Sequence, residues 1–362
     1  MEPIRLTSPS DVLALLPYQL GYHPHDAVVV VTVHGRTVGL VERIDIPPPE
    51  HVTEAADAMV GPLLSDLPDA AVLVGYESSP GASLPLLDRL RRGCRLAGIE
   101  VLDRVVVRDG RWYLPDCRDG CCPGEGRPVE EAAAHPGVAE LVAMGVSPLA
   151  SRAALAGVVA ADPTLAPAVG RALASRRAGG PRRPRGANGS VDDRRAWLRQ
   201  WGEVVDVADD APEVQDTSPV TVAVLVLSLE DVELRDGLIA RWCPDTLPLE
   251  ALGAPLAHQL RTLLPEPPWG GGEGGPAAGR RALARLQWLA RAVPDEDAAP
   301  VLTVLASLAW WLGDGAVARE ALERALDARP DYRLARLLER MVDLGVRSRS
   351  DRPPGRGLAT PA

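Results

Sequence analysis

The sequence predicts an α/β domain followed by an all-helical one, and three observations predict it. Up to about residue 128, short β-branched runs alternate with segments of helical periodicity. From about residue 130 onward the periodicity is helical and no strand stands out. Residues 178–190, rich in Gly, Pro and Arg, have the composition of a linker. The expected organisation is an α/β domain with trailing helices over 1–177, that linker, a helical domain over 191–346 and a disordered tail over 347–362.

The elements follow in order. Ser8 can cap a first helix, Pro9 has its φ set for the first helical position, and Asp11 stands where a capping box places its acid. Pro17 is expected to end or kink that helix. Ala27–Val33 is a valine-rich run that reads as a buried strand. A turn at His34-Gly35-Arg36 returns the chain as a second strand over Thr37–Asp45. After three prolines, Val52, Ala55, Ala56, Met59, Val60 and Leu63 recur at helical spacing. Ala70–Tyr76 is a third strand, and Ser83 is expected to cap a helix carrying Leu86, Leu87, Leu90, Cys94 and Ala97 on one face. Val101–Val107, a turn at Asp109-Gly110 and Arg111–Leu114 complete a mixed, partly parallel sheet in the order β-β-α-β-α-β-β.

Helices are expected over 130–144, 151–161 and 163–177. Val220–Leu227 is ambiguous, because its valines favour a strand and its neighbours a helix. Near the end, Leu302–Leu312 and Ala316–Ala328 flank Gly313-Asp314-Gly315, with small residues placed as in a tetratricopeptide-like hairpin. One amphipathic helix, Asp331–Leu344, follows.

Composition excludes several functions. The chain of 362 residues is 46% apolar and 24% charged, a globular balance long enough for two cores. It contains no Lys, no Phe and one Asn, a gap that GC-rich codon usage accounts for. Without lysine there is no Walker-A phosphate loop, no pyridoxal Schiff base, no kinase strand lysine and no Ser-x-x-Lys acyl-transfer site. No His-Glu-x-x-His is present. The net charge of −10 argues against a surface given over to nucleic acid. No apolar run reaches the roughly 20 residues of a membrane span, and the N-terminus lacks a secretory pattern. A cytoplasmic location with reduced thiols is expected.

Topology supplies the candidate site. If the second, third and fourth strands run one way and the first runs against them, their ends share one edge of the sheet. That edge gathers His23, His25, Asp26, Arg43, Asp45, Tyr76, Glu77, Arg108 and Asp109. Ligands of open α/β sheets bind at such edges. His23, Asp26, Arg43, Asp45, Tyr76 and Glu77 are the candidate ligand-binding residues, with Arg43 suited to an anion and Asp45 to orienting it. The plainer reading is a row of solvated loop charges.

Three other features have competing readings. Cys117, Cys121 and Cys122 could ligate zinc, with His135, Cys94 or water as the fourth ligand. They could equally form a redox pair, and the plainer reading is a structural turn with packed thiols. The six arginines of 171–185 form either a solvated linker or a basic arm for nucleic acid or the protein's own acidic surface. The glycine strings at 272–275 and 313–315 imitate a dinucleotide fingerprint, but no strand enters either.

Several segments together resemble an actinobacterial family, domain-of-unknown-function family 4192. They are Leu6-Thr7-Ser8-Pro9-Ser10-Asp11, Leu20-Gly21-Tyr22-His23-Pro24 and Arg43-Ile44-Asp45-Ile46-Pro47. Gly110-Arg111-Trp112 with Cys117 and Cys121-Cys122-Pro123-x-x-Gly126 is similar to the family's cysteine signature. Leu234-Arg235-Asp236 and the stretch from Gly313 through Tyr332-Arg333-Leu334 are similar to its C-terminal segments. The resemblance spans about residues 5 to 346, with Tyr22 where the family usually has Phe. It implies that the cysteine run is a shared feature, and it implies no activity or cofactor.

The expected function is binding, with a polar small molecule at the sheet edge and a protein partner on the C-terminal helices. The alternatives are an enzyme using Asp26, Asp45 or Glu77 as acid or base, and a thiol-based metal or redox regulator.

Overall fold

A computed structural model of the chain describes residues 8–35, 37–117, 123–129, 135–143, 146–179, 189–270 and 275–346. The described residues form two compact units, one within 8–154 together with 343–346 and the other within 155–342. Residues 155–179 belong to the second of these units, and residues 180–188 lie outside the described residues.

The first unit is built on a six-stranded sheet: β1 (Ala27–His34), β2 (Thr37–Asp45), β3 (Ala70–Tyr76), β4 (Glu100–Arg108), β5 (Arg111–Tyr113) and β6 (Arg127–Pro128). Their order is β2-β1-β3-β4-β5-β6. β1 is antiparallel to both β2 and β3, and β3 is parallel to β4. So β2, β3 and β4 point the same way, as expected, with β1 inserted between the first two. Val28, Val30, Ala71, Leu73 and Val106 pack with residues of α2 (Val52–Asp66) and α3 (Leu84–Leu96). The alternate residues Val29, Val31, Val72, Val74 and Val105 are buried as well. A sheet buried on both faces explains why its strands are continuous valine runs rather than alternating ones.

Helix α1 (Pro9–Leu20) opens with the expected capping box: the Asp11 amide donates to Ser8 Oγ at 3.3 Å and the Ser8 amide to Asp11 at 2.9 Å. Pro17 does not end it. The helix runs on to Leu20 and stops at Gly21, whose φ of +76° suits glycine. Pro17 forfeits one ladder bond, but Val12–Pro17 are all buried, so packing outweighs the loss. A short helix, α4 (Pro136–Ala143), packs on α1 through Val138.

The second unit is helical. It contains α6 (Ala166–Gly179), α7 (Val191–Val205), α8 (Pro219–Ser228), α9 (Val232–Trp242), α10 (Ala254–Leu263), α11 (Gly275–Arg291), α12 (Asp295–Trp311), α13 (Gly315–Ala328) and α14 (Arg333–Asp343); α5 (Arg152–Val159) precedes them. The ambiguous Val220–Leu227 lies in α8, started by a Ser218 cap and Pro219 at the first position. Trp201 and Trp242 meet edge to face at 5.7 Å in the core, where the Trp201 indole donates to Ser228. α12 and α13 pair across Gly313-Asp314, so a helix and not a strand leads into that glycine string. Trp311 is buried and donates to the Pro244 carbonyl at 3.0 Å, while its neighbour Trp310 is half-buried. Among the described residues no helix is long and apolar enough to cross a membrane.

In a chain without lysine, arginine forks tie the helix ends together. Arg324 donates to the carbonyls of Val159, Ala290 and Val293 and to Asp295. Arg285 does the same for Glu203, Val204 and Pro212. Several N–H groups in a planar array can serve several carbonyls at once, which a single ammonium does less well.

Candidate functional site at the sheet edge

The strand register builds the edge. Ala27 pairs with Asp45 on one side and Tyr76 on the other, and Tyr76 pairs with Val107. Asp26, Asp45, Tyr76, Glu77 and Arg108 therefore stand at one end of four adjacent strands. Paired residues share a face, so Asp45 and Tyr76 lie on the same side as Ala27, and Arg43, two residues before Asp45, joins them.

Glu77 is the most engaged of these residues. Its amide extends the parallel ladder by donating to Val107 at 3.0 Å. One carboxylate oxygen accepts from the Gly81 amide at 2.8 Å and from Arg108 at 2.9 Å. The other accepts from the Ser83 amide and hydroxyl at 2.9 and 2.7 Å. Ser83 does stand at the start of α3, but its hydroxyl serves Glu77 and does not cap the helix. Gly75 makes this possible: a Cβ there would lie 2.3 Å from Ser83 Oγ. Burial works to raise the Glu77 pKa, but the amides of Ser83 and Gly81, the Ser83 hydroxyl and Arg108 outweigh it and hold it below the ordinary glutamate value.

Asp26 occupies the left-handed region with φ +41°, which aspartate tolerates better than most residues. Its carbonyl accepts from Ile46 at 3.0 Å, fixing the end of β2. Its carboxylate accepts from the Ser78 amide and hydroxyl, both at 2.8 Å, with His25 at 3.1 Å. The Ser78 hydroxyl and then its amide hold the Asp26 pKa down. Arg43 donates to Asp45, which also lies 3.6 Å from Arg152. The Asp45 side chain is 66% exposed, whereas that of Arg43 is 10% exposed. Two buried polar atoms on this face, Arg43 Nε and Tyr76 Oη, have no hydrogen-bond partner among the described residues. Burial also raises the Tyr76 pKa, which keeps its hydroxyl protonated as a donor. His23 is exposed, and its amide is held by the Leu149 carbonyl.

A family model described as "Domain of unknown function (DUF4192)" matches residues 9–262 and 275–349, nearly the whole chain. The chain belongs to this family. No curated protein and no solved structure matches it.

Within this DUF4192 chain, the cysteine signature is described only in part. Cys121 and Cys122 lie outside the described residues, and with them the zinc and redox alternatives. Cys117 is half-buried beside Asp116, which binds Arg91 and Arg104. Cys94 is fully buried in the α2–α3 core, where burial raises its pKa, as suits a packing thiol. After the turn, Arg111 donates to the carbonyls of Glu125 and Gly126 and so ties down the far side of the signature. In the basic run, Arg177 binds Glu230 and Asp297, the protein's own acids; Arg182, Arg183 and Arg185 lie outside the described residues.

One cluster escaped the sequence reading as a site. Arg235 and Tyr332, from two separately quoted segments, meet across 97 residues with a 2.8 Å hydrogen bond. No local pattern signals such a meeting; only the joint presence of both segments in the family resemblance hinted at it.

Proposed function

We propose that this DUF4192 protein binds a polar small molecule at the sheet edge, on the face shared by Arg43, Asp45 and Tyr76. The observation that carries the reading is a pair of buried donors on that face, Arg43 Nε and Tyr76 Oη, that have no acceptor among the described residues. An unsatisfied buried donor costs about 1–3 kcal/mol, and groups of this kind call for a water, an ion or a ligand as explanation. A ligand acceptor would answer both donors, while the exposed Asp45 carboxylate, held by Arg43 and Arg152, takes a ligand donor.

The enzyme alternative has less support. A general acid or base near neutrality needs a raised carboxyl pKa or a lowered amine. Asp26 and Glu77 are both shifted downward, and Glu77 is enclosed by four donors. A protein partner on the C-terminal helices belongs to the same proposal, supported by α14, which buries only Ala335 and leaves Leu337 56% exposed.

The test is ligand-observed NMR with a fragment set of carboxylates, phosphates, amides and polyols. Fragments that bind the native protein should bind Arg43→Ala more weakly by on the order of 2 kcal/mol, because a charge is left unpaired. Unchanged affinity in Arg43→Ala would refute the site.

A further inference from the structure

The helical unit holds a cleft of about 140 Å³, against the roughly 10–15 Å³ that admits one water. Its polar rim is formed by Arg177, Arg235, Arg329, Tyr332, Glu230 and Asp297, over an apolar floor that includes Leu229 and Pro300. What matters is which of these polar groups are already engaged. Glu230 and Asp297 both bind Arg177, at 3.3 and 2.7 Å. Arg235 gives Nε and Nη2 to Asp236, at 2.9 and 2.7 Å, and Nη1 to the Tyr332 hydroxyl. Each acid thus has one oxygen on Arg177, and Arg177 and Arg235 are both engaged.

Two donors are left. Arg329 lies over the Tyr332 ring at 5.4 Å, as Arg235 does at 5.7 Å, and has no ion pair among the described residues. The Tyr332 oxygen accepts from Arg235, so its own proton is available to another acceptor. Arg329 and the Tyr332 hydroxyl are thus two donors that both line the cleft, and the guanidinium fork of Arg329 matches two oxygens of an oxyanion.

We propose that this cleft is an oxyanion-binding site: Arg329 holds the phosphate or carboxylate head of a small molecule, Tyr332 donates a further hydrogen bond, and Leu229 and Pro300 receive a short carbon stem. Arg235 acts behind the site, orienting the Tyr332 hydroxyl and stacking on its ring. The site lies wholly within the second unit and does not depend on the sheet-edge reading.

Calorimetric titration of the full chain with inorganic phosphate, and separately with acetate, at ionic strength held constant with chloride, tests the proposal. Native protein should bind at least one of the two with one-to-one stoichiometry, and the tighter of them identifies the head group. Arg329→Gln should weaken it about tenfold or more. Tyr332→Phe, which keeps the ring on which both guanidiniums stack, should weaken it about threefold to tenfold. Thermal melts check that both variants fold, and Tyr332→Phe carries the test if Arg329→Gln does not. Absence of binding by either anion, or an affinity unchanged in the folded variants, would overturn the site.

Discussion

The sheet edge and the helical cleft both gather arginines, carboxylates and a tyrosine, yet they differ in what remains unmatched. At the edge, Glu77 faces four donors, and Asp26 is held by both polar hydrogens of Ser78. These two carboxylates hold the loops that follow β3 and precede β1. The donors left over at the edge, Arg43 Nε and Tyr76 Oη, are buried, whereas in the cleft Arg329 has no ion pair among the described residues and the Tyr332 proton stands at the rim. A row of charges thus says little by itself. Which hydrogen-bonding capacity the fold has already filled separates structural groups from those that can meet a ligand.

The comparison can be broken first at Glu77. Glu77→Ala should destabilise the protein by about 3–5 kcal/mol in urea unfolding, because the Ser83 amide is left buried and unpaired and Arg108 loses its carboxylate. A loss below about 1 kcal/mol would show that the carboxylate is not structural.

Acid provides a second, smaller test. Glu77 and Asp231 both have folded pKa values below their ordinary 4.5 and 3.8. Burial works against the shift at Asp231 too, and Arg194 and the amides of Gly189 and Leu234 outweigh it. Such groups contribute stability that is fully present above the unfolded pKa and is lost as pH falls through the folded one. Stability should therefore decline from about pH 4.5 downward, and Glu77→Gln and Asp231→Asn should each flatten that decline. An acid limb as steep in both variants as in the native chain would count against these assignments.

The smallest effect is expected where side chains are exposed. Asp45→Ala should change stability by no more than about 1 kcal/mol, since the Asp45 carboxylate itself is 66% exposed. A larger loss would move Asp45 into the same structural class as Glu77 and remove it from the ligand face.

Much of the edge was legible in the sequence. The valine runs, the turn residues and the intervening helical periods placed β1 to β4 and their directions, and directions alone bring Asp26, Asp45 and Glu77 to one end. The role of each side chain was not legible. Ser83 looks like a cap until Glu77, six residues earlier, is seen to take its proton. Pro17 reads as a helix end because burial of the whole α1 segment is a tertiary effect. The α8 segment was decided by Ser218-Pro219, a start signal that its valines masked. The Arg235–Tyr332 contact joins residues 97 apart, beyond any local period.

Asp26 and Glu77 hold the loops at the sheet edge and do not exchange protons near neutrality. Carbon-13 NMR titration of the side-chain carboxyls measures this directly. The account predicts that Asp26 and Glu77 both titrate below the ordinary aspartate and glutamate values of 3.8 and 4.5. Titration of either carboxyl near pH 6 to 7, where a general acid or base works, would contradict it and restore the enzyme reading.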